Sequence, residues 1–216
     1  ISDVVELAGG DPNVFSALTT FAYSNDTLER GRAYTAMARI AARRAAHAGP
    51  EPLRDMIRRL FWSMNDESGG VGWHAAEAIG EIAAAVPALI DEYGIILSSH
   101  MDEFPFGPSV HRAIAKMATV RPAVFQEIPE QLAGSLSSDD PVIRASAASA
   151  LVSIDRDSFS ERVAGLAGDT APFEYYDPGK DAAVKTTVGD FVNGLLSVES
   201  SAGGGAAGAG IAGGGE

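Results

Sequence analysis

The sequence contains no cysteine. That excludes a disulfide framework, a thiolate metal site and a cysteine nucleophile. It also lacks any run of roughly 18 consecutive apolar residues, the length a membrane-spanning helix requires, and any stretch laid out as a signal peptide. No membrane partner is expected, and cytoplasmic residence fits. Basic residues are in deficit: Lys and Arg total 16 against 29 Asp and Glu, which gives a formal net charge of -13 and a pI of about 4.6. Such a chain repels a phosphate backbone on average, so a nucleic-acid role would need a local basic patch working against the global field. Aromatics are scarce at 7%, and alanine supplies much of the 46% hydrophobic content. That composition suits closely packed helices.

What the chain has instead is a repeat. Residues 65–82 read NDESGGVGWHAAEAIGEI, and in the second half Val71, Trp73, Ala75, Ala76, Ala78, Ile79, Gly80 and Ile82 place small or apolar residues at helical spacing. Small residues there let a neighbouring helix approach closely. Related patterns are Ala33, Tyr34, Ala36, Met37, Ala38 and Ile40, then Val110 to Met117, then Ile143 to Ile154, and most loosely Val184, Lys185, Thr187, Val188, Gly189 and Phe191. The large anchors Met37, Ile79, Ile114, Leu151 and Val188 are 42, 35, 37 and 37 residues apart. This period predicts a helical solenoid of about five helix pairs.

Taken in order, Asp11 and Pro12 read as the start of a first helix with Val14, Phe15, Leu18 and Phe21 inward. A second helix spans about 28–46 and is broken by Gly49, Pro50 and Pro52. Leu53, Met56, Ile57, Leu60, Phe61 and Met64 then mark the clearest amphipathic helix of the chain. The signature helix is expected over 73–85, followed by an inward stripe of Leu89, Ile90, Tyr93, Ile96 and Leu97. The loop 98–108, SSHMDEFPFGP, is long enough to project from the stack. A helix over 109–120 follows, then one opened by Pro122 that Pro129 should kink. SSDDP at 137–141 is a turn and N-cap before the helix at 142–154. Phe159, Val163 and Leu166 form a short helix, GDTAPFEYYDPGK is an insertion, and the last signature helix ends near Leu196. Residues 1–198 are thus assigned to one repeat domain. The tail 199–216, almost entirely Gly and Ala, is expected to be disordered.

The segment DDPVIRASAASALVSI, 139–154, carries the Asp, Pro, Val-Arg, paired Ala, Ala-Leu and final aliphatic habit of the HEAT family, in particular its short phycobilisome-lyase-type repeats. The chain resembles that family over about 11–196. The resemblance implies an all-α fold, a right-handed α-α superhelix, with Arg144 reaching back to the acidic turn at Asp139 or Asp140. The equivalent position holds Gly72, Gly107 and Asp181 in three other copies. The segment 65–82 also resembles one found in uncharacterised bacterial HEAT-repeat proteins. Most proteins of this kind bind other proteins, so the fold implies no particular activity.

Aligning the copies sorts the exposed positions of the second helices into columns. One holds Arg32, His74, Ser109, Ser146 and Ala183; the next Thr35, Glu77, Arg112, Ser149 and Thr186; the third Arg39, Glu81, Lys116, Ser153 and Asp190. In HEAT-type stacks this face is concave and binds partners. Arg39, Glu81 and Lys116 alternate in sign, which also fits a bland ladder of surface ion pairs. Trp73, His74, Glu77 and Glu81 form the densest chemical cluster, able to bind a cation or relay a proton, or else a polar helix rim. Asn65, Asp66 and Glu67 form either a cap or a recognition loop. Phe173, Tyr175 and Tyr176 are either a partner anchor or packing over the last pair. His100, Asp102, Glu103 and His111 follow no metal-ligand spacing, and no cofactor or metal is expected. The candidate binding residues are therefore Arg32, Thr35, Arg39, Asn65, Asp66, Glu67, Trp73, His74, Glu77, Glu81, Arg112 and Lys116.

The expected function is a non-catalytic scaffold that binds a protein or peptide through the concave surface. The alternative is a lyase or chaperone handling a tetrapyrrole-type ligand through Trp73, His74 and Glu77, as the family resemblance allows. Two HEAT-type enzymes fit less well. Deoxyhypusine hydroxylases hold iron with His-Glu dipeptides, and none of His47, His74, His100 or His111 precedes a Glu. Alkylpurine DNA glycosylases use a basic groove, whereas Glu77 and Glu81 interrupt the one formed by Arg32, Arg39, Arg112 and Lys116.

Overall fold

The computed structural model describes residues 13–65 and 72–198. The expected start at Asp11 and Pro12, the acidic pair Asp66 and Glu67, and the Gly/Ala tail lie outside the described residues. The chain is mostly helical, with a small two-stranded sheet. Its helices are α1 (Asn13–Ala22), α2 (Thr27–Ala48), α3 (Glu51–Met64), α4 (Ala75–Ala85), α5 (Ala88–Ser98), α6 (Gly107–Ala118), α7 (Pro129–Ser135), α8 (Pro141–Ala164) and α9 (Val188–Ser197). A 3-10 turn, Pro122–Phe125, precedes α7, and strands β1 (Pro172–Asp177) and β2 (Ala182–Thr187) precede α9.

Local chemistry starts and stops these elements. The Asp26 carboxylate accepts from the Glu29 amide at 2.8 Å and the Asp140 carboxylate from the Val142 amide at 2.7 Å, capping α2 and α8. Gly49, at φ 73°, ends α2 in a conformation that favours glycine. The amphipathic helix read from Leu53 to Met64 is α3, with Leu53, Ile57, Leu60 and Met64 buried. Within α8, Asp155 leaves helical geometry (φ -155°, ψ 89°), and its carboxylate accepts the Ser158 amide to start a second helical segment. That segment holds Phe159 and Val163, the short helix expected there.

The signature helices stack in sequence order: α2 packs on α4, α4 on α6 and α6 on α8. Helix α3 lies against both α2 and α4, and α5 against both α4 and α6. All five repeat anchors, Met37, Ile79, Ile114, Leu151 and Val188, are 0% exposed. The anchors read from the sequence thus all belong to the core. The close approach expected from small residues is real between α4 and α6, where a Cβ on Gly80 would stand 2.6 Å from Ala113 Cα.

Four expectations need correction. The fold is not purely helical, because 184–187, read as the start of the last signature helix, belongs to β2. Val184, Thr186 and Thr187 are β-branched and favour a strand. The Pro178-Gly179 turn folds β2 antiparallel onto β1, pairing Tyr175 with Val184. Thr187 then caps α9 by accepting from the Asp190 amide at 3.1 Å. Second, Pro129 does not kink one helix but separates a 3-10 turn from α7. Third, α4 begins at Ala75, so Trp73 and His74 sit in the preceding turn, where the Ala75 amide donates to the Gly72 carbonyl at 2.8 Å. Fourth, the loop 98–108 does not project as a whole: Met101 and Phe106 are buried, and Phe104 alone among its aromatics stands exposed.

The seam at Gly80 has a measurable consequence. Gly80→Leu drives a side chain into the α6 backbone, so a loss of about 1–3 kcal/mol or more is expected. Gly134→Ala, whose Cβ meets nothing within 4 Å in α7, should instead hold or raise stability by up to about 1 kcal/mol. Chemical denaturation of the two variants checks the contrast.

Candidate binding face beneath the hairpin

Residues at helical spacing on four alternate helices face a common space. Thr27, Arg30, Gly31, Tyr34 and Thr35 come from α2, Glu77 and Glu81 from α4, Arg112 and Lys116 from α6, and Ser146 and Ser149 from α8. The opposite wall is the hairpin, through Phe173, Tyr175 and Tyr176, together with Phe191 of α9. The cavity between them measures about 260 Å³. Four members of one column read from the repeats, Thr35, Glu77, Arg112 and Ser149, line it; the fifth, Thr186, lies on β2.

The face is charged and largely withdrawn from solvent. The Glu77 carboxylate lies 4.0 Å from Arg30 and 3.5 Å from Arg112, with its side chain 16% exposed. Its backbone amide donates to Ser109 Oγ at 3.0 Å, so one residue ties α4 to both neighbours. Lys116 pairs with Glu81 at 3.1 Å. Burial pushes the Glu81 carboxyl above its ordinary range, while Lys116 pulls it back. Tyr34 Oη lies 3.2 Å from the carbonyl oxygens of Ala22 and His74, and burial pushes its phenol up. Burial, helped by Arg30 and Arg112, lowers His74 and holds its imidazole toward the neutral form.

The hairpin is docked on α2 at its far end. A Cβ on Gly31 would fall 2.1 Å from Tyr176 Cγ, so the ring lies where only glycine leaves room. Asp181 accepts two hydrogen bonds from Arg32, each 3.0 Å, and one from Tyr176 Oη at 2.9 Å. Thr27 donates to the Glu174 carboxylate at 2.9 Å, and Arg112 to the Glu174 carbonyl at 2.8 Å. At the near end Phe173 and Tyr175 pack edge-on against Phe191. Of the two roles open to these aromatics, packing over the last repeat describes Phe173 and Tyr175, whereas Tyr176 reaches the first.

The structure also separates residues that the sequence grouped. Positions read as exposed columns are covered: Ser109 and Ser146 are buried, and Glu77 and Arg112 nearly so. Trp73 is 56% exposed in the turn before α4 and shares no helix face with Glu77. Arg39 is exposed and joins no ion pair among the described residues, so the alternating ladder is only the Glu81–Lys116 pair. Asn65 donates from Nδ2 to the Phe61 carbonyl, the helix-capping role. His100 pairs with Glu103, while buried His111 bonds the Gly107 carbonyl and Ser135. Among the described residues no group of three His, Asp or Glu side chains is placed to hold a metal ion. No helix there is long and apolar enough to cross a membrane.

Arg30 escaped the sequence reading, although a signal for it exists. Ser24-x-Asp26-x3-Arg30 repeats as Ser138-x-Asp140-x3-Arg144. In each copy the serine Oγ accepts the Asp amide and the arginine donates to the serine carbonyl, at 2.7 Å from Arg30 and 2.6 Å from Arg144. Arg144 does reach the acidic turn, but through backbone carbonyls. Its carboxylate partner is Asp169 of the next segment, 2.8 Å away, as Glu77 is for Arg30.

Comparison with known proteins finds no matching family model, no matching curated protein and no matching solved structure. The reading of the site rests on its own geometry.

Two outcomes follow from the electrostatics. Glu77→Ala strands Arg30 and Arg112, and a loss of about 3 kcal/mol is expected in denaturant melts. His74 and His111 are both lowered from 6.5, chiefly by burial. The unfolded chain then binds protons that the folded chain refuses, so stability is full above about pH 6.5 and falls on acidification below it. The thermal midpoint should drop between about pH 7 and pH 5, and His111→Gln should flatten part of that slope.

Proposed function

We propose that the chain is a non-catalytic repeat scaffold of HEAT type, a right-handed α-α superhelix resident in the cytoplasm, that binds a protein or peptide partner. The partner engages the inner face of the row formed by α2, α4, α6 and α8. One observation carries this reading: residues from the four alternate helices α2, α4, α6 and α8 converge on one face, and that face already holds an extended segment of polypeptide, the hairpin. Helical repeats build binding surfaces in this way, with each repeat adding a strip of side chains. The cofactor-handling alternative gains less support. Of the three residues it relies on, only Glu77 lines the cavity, and Trp73 stands exposed in the turn before α4.

The test is capture of partners from host lysate by wild type and by Thr35→Arg with Ser149→Arg. Both substitutions fill the face without touching the helix seams. A protein retained by wild type and lost by the folded variant is the expected result. Equal retention by both, or retention of a pigment with no protein, would overturn the reading.

A further inference from the structure

The hairpin is a template for what the α2 end of the face recognises. The hairpin places three chemical groups on the helices: at its far end an aromatic ring over the bare backbone of Gly31 and a carboxylate in the fork of Arg32, and nearer its base a backbone carbonyl on Arg112. A second carboxylate, Glu174, meets Thr27. The receiving helix is the basic element of an acidic chain. Helix α2 holds Arg30, Arg32, Arg39, Arg43 and Arg44 against the single acid Glu29, while the whole protein carries -13. Of the hairpin's acids, Glu174 and Asp181 meet α2 side chains, while Asp177 pairs with Lys180 of the hairpin's own turn.

The hairpin is also built to come away. It is a two-stranded sheet without a third strand among the described residues, and such ribbons are marginal alone. Its base is fixed by the Phe173, Tyr175 and Phe191 rings. Its tip is held by the Tyr176 ring on Gly31 and by an ion pair, Arg32 with Asp181, that is half exposed on both sides; such pairs contribute little. Undocking the tip would leave the base in place and uncover the cavity.

We infer that the α2 end of this face is the docking site for an acidic, aromatic-bearing segment of the partner polypeptide, and that the hairpin is its resident occupant in cis. The partner displaces the tip, seats its own ring on Gly31 and its carboxylate on Arg32, and gains the cavity wall behind them. This rests on the scaffold reading and adds to it the chemistry of the partner and a competitor that sets its affinity.

The probe is a fluorescein-labelled synthetic peptide of residues 172–187, followed by polarisation at low and high salt. In Tyr176→Ala with Asp181→Ala the tip loses its ring and its carboxylate, and the probe should bind at least tenfold more tightly than to wild type. Adding Arg32→Ala to that background should reverse the gain, and salt should weaken binding. A second form guards against misfolding of the first. Thr35→Cys with Tyr176→Cys, the only cysteines in the chain and drawn from side chains in contact, are joined by a reducible crosslinker that pins the tip down. The pinned form should not bind the probe, and reduction should restore binding. Equal binding by pinned and released forms, or no gain in the opened variant, would overturn the inference. If lysate capture yields a partner that the peptide does not displace, the scaffold reading stands and this inference fails alone.

Discussion

The missing side chain at Gly31 is the constraint on which the arrangement of this protein depends. With the ring of Tyr176 lying where a Cβ would be, 2.1 Å from its ideal position, the hairpin can lie flat on α2. It thereby joins the first helix of the row to a segment almost 150 residues later. The same hairpin walls the cavity over Glu77 and sets the Glu174 carbonyl on Arg112. Without it the same face would be an open charged surface.

Beneath the hairpin a charge network performs the work that apolar packing performs elsewhere in the row. Glu77 between Arg30 and Arg112 links three helices, and Glu81 with Lys116 repeats the link one turn on. Charges withdrawn from water in this way stabilise little in net terms, but removing one partner is costly. They hold α2, α4 and α6 in register and present hydroxyls and charges to one space. The apolar seam behind them, with Ile79, Ile114 and Leu151 fully buried and Gly80 against Ala113, sets the spacing of the helices.

Much of the helical row was legible because burial at helical spacing leaves a strong trace. Met37, Ile79, Ile114, Leu151 and Val188 recur at a near-constant interval, and each is buried. The column Thr35, Glu77, Arg112 and Ser149 was also legible, since the repeat register alone aligns it. The hairpin was not: Val184 of β2 falls in helical register with Val188 and Phe191 of α9 by chance, and the turn at Pro178-Gly179 that decides otherwise looked like an insertion. Nor could the sequence show that positions facing out from one helix would be covered by a segment far along the chain. Tyr176 on Gly31 and Asp181 on Arg32 are long-range contacts without a local signature. The exposure expected of Glu77 failed for that reason, whereas Ser109 is buried against α4, where it accepts the Glu77 amide.

The most direct measurement is amide hydrogen exchange of wild type and Gly31→Ala, read by mass spectrometry across residues 172–187 and across α8. A methyl group at Gly31 should lift the Tyr176 ring, so that the hairpin amides exchange faster while those of α8 keep their protection. Unchanged exchange in the hairpin would contradict the account, because the contact at Gly31 would then not be what holds it on the row.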